Sequence, residues 1–318
     1  MGASVLWQLT TRLGVLLLSL VAASLLIFLV VQVLPGDPAQ VVLGVNATPA
    51  AVAELRHQMG LDLPAWERYL LWLGGMLRGD LGTSQVSGTP VAELVLQRLA
   101  VSAPLALLGV AVSVLLSVPL GVIAGVRHRR LSGSVISALS LGGIAIPAFW
   151  GALLLITVFS IQLHLFPSGG FVAWSDDPLG ALRSLLLPAV ALGLVQGAIL
   201  TRYVRSAIID VLGEDYLRTA RGKGLTQWQA LRRHGFRNAA IPVVTVLGLQ
   251  LTSLLVGAVV IENVFFLPGL GRMLLQAIGN RDLIVIQATV MLLTGGVLIV
   301  NFLVDVSYRM LDPRIRAR

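Results

Sequence analysis

Six runs of apolar residues, each close to the roughly 20 needed to cross about 30 Å of hydrocarbon, constrain this chain more than any motif in it. They lie near Leu13 to Leu34, Val101 to Val126, Val135 to Phe159, Leu185 to Val204, Val243 to Ile261 and Ile284 to Val306. Lipid offers no water to an unpaired amide or carbonyl, so all six are predicted to be helices in an all-α integral membrane bundle with six transmembrane helices. Charged residues are only 12% of the chain, where a soluble domain carries about a quarter. A length of 318 residues would suggest two soluble domains, but lipid can cover apolar surface, so residues 1–318 are expected to form a single transmembrane domain. The first run exceeds a signal-peptide core and leads into Pro35-Gly36-Asp37-Pro38 rather than a small-residue cleavage site, so it is expected to be retained. Pro119 and Pro147 are expected to interrupt the second and third runs, as packing devices rather than hinges.

The basic residues give an orientation. With the amino terminus inside, sixteen Lys and Arg fall in cytoplasmic segments: Arg12, then Arg127, Arg129 and Arg130, then eight between Arg202 and Arg237, then Arg309, Arg314, Arg316 and Arg318. Seven remain outside, over longer loops. Both termini are therefore expected in the cytoplasm. The formal charge of +8 is then a topology signal and carries no argument for a nucleic-acid partner. There is no cysteine, which excludes disulfides, thiolate metal sites and thiol nucleophiles.

Two polar segments stand out. The outer segment 35–98 is too long for a plain connection, and in Ala65 to Leu77 it places Trp66, Tyr69, Leu70, Leu73, Met76 and Leu77 at helical spacing, with Trp72 beside them. An amphipathic helix of this kind suits the lipid headgroup level, either as a cover for the bundle or as a rim for substrate delivery. The inner segment 202–242 begins with Tyr203 to Arg221, a predicted polar extension of the fourth run, which Gly222-Lys223-Gly224 then breaks. A short helix follows, with Thr226 as N-cap, Gln229 completing a capping box, and Arg232, Arg233 and His234 in the last turn before Gly235. Leu225, Trp228 and Leu231 lie on one stripe of it, with Phe236 just beyond. That stripe suits a groove on a partner; a membrane-surface helix and a plain solvated connection are the competing readings.

Several short sequences together resemble a known family. Leu34-Pro35-Gly36-Asp37-Pro38, Gly60-Leu61-Asp62-Leu63-Pro64, Gly79-Asp80-Leu81-Gly82 and Ile146-Pro147-Ala148-Phe149-Trp150 come first. Thr219-Ala220-Arg221-Gly222-Lys223-Gly224-Leu225, Arg237-Asn238-Ala239-Ala240-Ile241-Pro242, Glu262-Asn263-Val264-Phe265, Pro268-Gly269-Leu270-Gly271-Arg272 and Asp312-Pro313-Arg314 follow. In this order and placement they are similar to ATP-binding-cassette importer permeases, in particular the first permease subunit of the dipeptide, oligopeptide and nickel group. The general permease signature has Glu-Ala-Ala where Arg218-Thr219-Ala220 stands here, and Ile241-Pro242 falls beyond the expected position. The resemblance implies a type I permease bundle in the bacterial inner membrane and, as partners, a second homologous permease, two ATPases and an extracytoplasmic solute-binding protein. It implies that Ala220, Gly224, Leu225, Thr226, Trp228, Leu231 and Arg232 couple to an ATPase. ATP and magnesium would be held by those ATPases, with no cofactor or metal on this chain. Peptide cargo is the first expectation, with nickel, another small chelate, an opine or a glycoside as alternatives on the same architecture.

The residues are consistent with a subunit that hydrolyses nothing. Gly222-Lys223-Gly224 has neither the upstream glycine nor the following Ser or Thr of a phosphate-binding loop. His57, His128, His164 and His234 are scattered over loops, no metalloprotease or serine-hydrolase motif occurs, and no selectivity-filter sequence supports a channel. Ionisable groups within the apolar runs are rare, which leaves Gln196, Gln250, Thr252, Ser253 and Asn301 as modest polar candidates for a translocation path, with Glu262 and Asp305 near opposite ends. Each has an alternative role as a helix–helix hydrogen bond.

Overall fold

The computed structural model describes residues 2–33, 38–44 and 47–311. Leu34 to Asp37, Asp312-Pro313-Arg314 and the side chain of Asp305 lie outside the described residues. In chain order the helices are α1 (Gly2–Val33), α2 (Pro38–Leu43), α3 (Pro49–Gln58), α4 (Ala65–Leu77) and α5 (Val91–Val126). Then come α6 (Leu131–Ala145), α7 (Ala148–Leu155) with a π-helical extension over Ile156–Gln162, α8 (Pro178–Gly213) and α9 (Asp215–Gly222). A single turn, α10 (Gln227–Ala230), passes through a π-helical turn (Leu231–Gly235) into α11 (Phe236–Val264), and α12 (Leu270–Asn280) and α13 (Leu283–Leu311) are the last described elements.

Among the described residues, five stretches are long and apolar enough to cross a membrane: Thr10–Gln32, Val91–Val126, Pro178–Gly213, Gln227–Val264 and Leu283–Val304. The third predicted span is interrupted at Pro147 as expected, and more deeply than by a kink. It is two helices, α6 and α7 with its extension, bent by 103°, and six spans result only when this pair counts as one. The cause is local. Pro147 offers no N–H to the helix and its ring pushes the preceding residue out of the α region; Ile146 accordingly sits at φ −81°, ψ 121°. Pro119 has no such effect, since α5 runs unbroken from Val91 to Val126 with both Pro104 and Pro119 inside it.

The chain divides into two compact units, Met1–Ser102 with Pro268–Ile299, and Ala103–Leu267 with Val300–Arg318. In the first, the amphipathic helix predicted at Ala65 to Leu77 is present with those bounds. Tyr69 and Trp72 turn inward onto Phe28 of α1, with ring centroids 5.4 and 6.2 Å away, and the hydroxyls of Ser24 and Tyr69 share a hydrogen bond of 2.9 Å. Trp66, Leu70 and Leu77 stay exposed, as a face resting in the headgroup layer would.

Asp282 ties the segment before α5 to the last helix of this unit. Only 3% exposed, its carboxylate accepts from the Ser84 hydroxyl, the amides of Gln85 at 3.3 Å and Val86 at 3.4 Å and, as N-cap of α13, the Val285 amide at 3.4 Å. Nothing in the sequence marks it beyond an Asp just before an apolar run. Removing the carboxylate leaves buried donors unpaired. Asp282→Ala is expected to destabilise the purified chain by about 3 kcal/mol, read as a lower denaturation midpoint in detergent, with Asp282→Asn intermediate; an unchanged midpoint would refute this role.

In the second unit α8 is the scaffold. Two-thirds of its apolar window is buried, 67% against 28% for α5, and its contact with α5 is a seam of small residues. A Cβ on Gly109 would lie 2.9 Å from Leu192, on Gly193 2.6 Å from Val112, on Gly121 2.5 Å from Val204, and on Gly125 2.7 Å from Ile208. Lipid tails are as apolar as leucine, so helices in a membrane associate through close packing, and glycine permits it. Beyond the seam, Leu200, Val204, Ala207, Ile208 and Val211 of α8 continue into one core with Leu217, Ala220, Ala230, Leu231 and Ala239.

Candidate coupling surface

The polar segment after α8 is folded onto that core. Its first part is not the continuous extension expected from Tyr203 to Arg221: α8 ends at Gly213, Glu214 is extended at φ −69°, ψ 142°, and α9 restarts at Asp215. The break lets α9 lay Leu217 and Ala220 against the core while Arg218 and Arg221 face solvent. Arg218 pairs with Asp215 at 3.5 Å, both largely exposed, so this ion pair contributes little.

Gly224 makes the turn between α9 and α10. At φ +95° it occupies the left-handed region that residues with a Cβ avoid. Around it the Leu225 amide donates to the Ala220 carbonyl at 3.4 Å and the Gly224 amide to Arg221 at 2.9 Å, the pairing of a Schellman motif. The predicted capping box is formed in both directions: the Gln229 amide donates to Thr226 Oγ1 at 3.3 Å, and the Thr226 amide to Gln229 Oε1 at 2.9 Å.

The predicted end at Gly235 is absent. Gly235 is at φ −93°, ψ −42°, and the chain continues through the π-helical turn into α11. A glycine stops a helix by going left-handed. Here it serves close approach: a Cβ on it would meet Leu231 at 2.6 Å and Val211 at 3.1 Å. The turn is therefore the beginning of the apolar stretch Gln227–Val264.

This placement divides the predicted stripe. Leu231 and Ala220 are buried in the core and Leu225 is half-buried against it. Gly224, Thr226, Trp228 and Arg232 are at the surface. Trp228 is 51% exposed and stands edge-on to Phe236, with centroids 5.7 Å apart. Tyr216 of α9 accepts a hydrogen bond from Asn238 Nδ2 of α11 at 2.8 Å. A cavity of about 480 Å³ opens between Tyr216, Thr219, Lys223, Leu225, Arg233 and His234. The surface thus presents two exposed aromatic side chains, Trp228 and Tyr216, together with the exposed cations Lys223, Arg232 and Arg233, on a buried aliphatic base.

The path candidates do not form one constellation. Gln250 Nε2 donates to the Gln196 carbonyl at 3.4 Å, joining α11 to α8, and the side-chain oxygens of both glutamines are buried without a hydrogen-bond partner. Thr252 donates to Asn301 Oδ1 at 3.4 Å. Ser253 is exposed on α11, and Glu262 is buried twelve residues, about 18 Å, along the helix from Gln250. In the first unit, an open cavity of about 560 Å³ includes Arg56, Arg68, Asp80, Gln85 and Gln287 in its lining. Desolvation lowers the Arg68 pKa from its usual value, and its Nη1 donates to the Leu61 carbonyl at 3.3 Å.

Long apolar helices and a polar turn built into the start of one of them define a multi-pass membrane protein, and sequence comparison gives the family. The model described as binding-protein-dependent transport system inner membrane component matches residues 117–317, and that for the N-terminal part of such a membrane component matches residues 5–106. The chain belongs to this family of inner-membrane permeases, in its dipeptide and oligopeptide permease-like branch. Among its relatives, the dipeptide transport system permease protein DppB of Escherichia coli (strain K12) is 36% identical over 329 residues, 96% of this chain and 97% of DppB. The glutathione transport system permease protein GsiC of E. coli O6:H1 (strain CFT073 / ATCC 700928 / UPEC) is 38% identical over 305 residues, again 96% and 97%. A Brucella abortus (strain 2308) protein with a provisional peptide-permease name is 42% identical over 293 residues, 92% and 93% of the two chains.

Proposed function

We propose that this chain is one membrane-spanning half of an ATP-driven peptide importer. In this reading it pairs with a second, homologous permease, two ATPases that hold ATP and magnesium, and a solute-binding protein outside, while the chain itself binds no cofactor. The observation that carries the coupling role is the exposed Trp228 one turn from the buried Leu231. A partner gripping the indole pushes on a core continuous with α8, so closure of the ATPases reaches the membrane without passing through a flexible joint. ATP binding then shifts the bundle between inward-open and outward-open states by holding one of them more tightly. Support for peptide cargo comes from the names of the relatives.

The orientation follows from the basic residues: 202–242 and both termini inside, 35–98 outside. Single cysteines at Ser87 and Thr226, both exposed, test it. An impermeant thiol reagent applied to intact cells that passed the outer membrane is expected to label the first and spare the second; the reverse would overturn the orientation.

The function is tested by reconstitution. Alone in liposomes the chain is expected neither to hydrolyse ATP nor to pass solutes. With the second permease, the ATPases and peptide-loaded binding protein it is expected to accumulate labelled peptide only when ATP is supplied. Uptake by the isolated chain without nucleotide would sink the subunit reading in favour of a channel or secondary carrier.

A further inference from the structure

The bend at Pro147 has a second consequence. Where α6 and α7 diverge, they leave a cleft of about 350 Å³ against α5 and α8, lined by Leu116, Leu139, Ile146, Leu155, Leu194 and Val195 among others. Its hydroxyls are Ser140 and Thr201. Both are spent on their own helices: Ser140 Oγ donates to the Ile136 carbonyl at 2.9 Å and Thr201 Oγ1 to the Gly197 carbonyl at 2.7 Å. A peptide, with charged ends and a polar backbone, would find almost nothing to bond there.

The same two residues also line a second, smaller cavity of about 150 Å³, whose other lining residues are Ser137, Leu141, Arg202 and Arg205. Ser137 Oγ likewise donates to its own helix, at the Gly133 carbonyl, so the guanidinium groups are the donors this cavity offers. Nε of Arg205 is buried with no hydrogen-bond partner, an arrangement that costs free energy unless something accepts from it. Arg202 lies over the ring of Tyr203, 5.7 Å from its centroid. No charged residue separates Arg183 from Arg202. The two arginines therefore mark the end of the apolar length of α8, where tyrosine commonly meets the headgroup layer.

The geometry points to a phospholipid site: an acyl chain of an anionic membrane lipid in the cleft between α6 and α7, with its phosphate on Arg202 and Arg205. Guanidinium suits phosphate oxygens in shape and charge, and basic pockets between membrane helices are where anionic headgroups bind. A free anion would leave the apolar cleft unexplained, and an apolar helix of the second permease would leave the buried Arg205 Nε unpaired. The lipid would act as a wedge holding the bend open.

The full chain, purified in detergent and examined by native mass spectrometry with added phosphatidylglycerol or phosphatidylcholine, tests this. One phosphatidylglycerol is expected to be retained in preference to phosphatidylcholine, and Arg202→Gln/Arg205→Gln is expected to lower its retention about tenfold. Gly151→Leu fills the cleft from its far end, where a Cβ meets only Ile146 at 3.6 Å. It is expected to lower retention with both arginines intact. Equal retention of the two lipids, or retention unchanged in both variants, overturns the proposal. So does displacement of the lipid by inorganic phosphate, which would indicate a simple anion site. A photo-cross-linker at Leu139 that captures the second permease instead of phosphatidylglycerol in the assembled transporter would also overturn it, by showing that a protein face covers the cleft.

Discussion

Trp228→Ala is expected to weaken binding of the ATPase to the assembled permease by about 30-fold and to reduce ATP-driven uptake in proportion. An aromatic anchor buried at a partner interface commonly contributes about 2 kcal/mol or more, which is the stated factor in a dissociation constant. The fold itself should barely notice, because the indole is half exposed and its contact described above is edge-on to Phe236. Trp228→Phe keeps an aromatic face and is expected to recover most of the binding. Leu231→Ala separates the two kinds of role on this turn. Leu231 is fully buried, so its truncation should cost about 2–5 kcal/mol of stability and affect coupling only by loosening the base under Trp228. Titrating labelled ATPase onto the reconstituted permease pair measures the first effect and denaturation in detergent the second. Unchanged ATPase affinity in Trp228→Ala would remove the docking role of this surface.

Gly121→Ala is expected to destabilise the chain by about 3 kcal/mol, although alanine favours a helix by about 1 kcal/mol over glycine. The sign is decided by what the added methyl meets. At Gly121 a Cβ would lie 2.5 Å from Val204 Cβ and 2.8 Å from the carbonyl of Thr201. A backbone carbonyl cannot rotate away as a side-chain tip can, so α5 and α8 must separate, and overpacking of this kind costs about 1–3 kcal/mol or more. Gly142→Ala is the control, since a Cβ there meets nothing within 4 Å and the propensity term alone should make that variant slightly more stable. Denaturation midpoints of the two variants in the same detergent compare them. Equal midpoints would mean that the α5–α8 seam is not what holds this unit together.

The landmarks that identify the family were legible in the sequence because they are local chemistry. The capping box at Thr226 and Gln229, the turn at Gly224 and the amphipathic stretch Ala65 to Leu77 each depend on residues a few positions apart, and all three are formed as the spacing implies. The glycines misled where their reason was not local. Gly235 has the position of a helix stop, but it is small to admit Leu231 and Val211, neither of which can be paired with it from sequence. Pro119 and Pro147 look alike in a list of residues, yet one is carried within an unbroken helix and the other lies where the chain turns by 103°.

The sequence by itself determined the helical membrane class, the number of apolar runs and the chemistry of the capped polar turn at Thr226, because hydrophobic length and capping act along the chain. Only the tertiary structure decided which side chains of that turn remain free. Leu231 and Trp228 are both large, apolar and on one predicted stripe, and only the packing of α8 beneath them makes one a foundation and the other a contact. It also brought Asp282 to residues nearly 200 positions earlier, and set Arg202 and Arg205 beside an apolar cleft. Helix seams and buried charges depend on which surfaces meet, and that is a property of the folded chain alone.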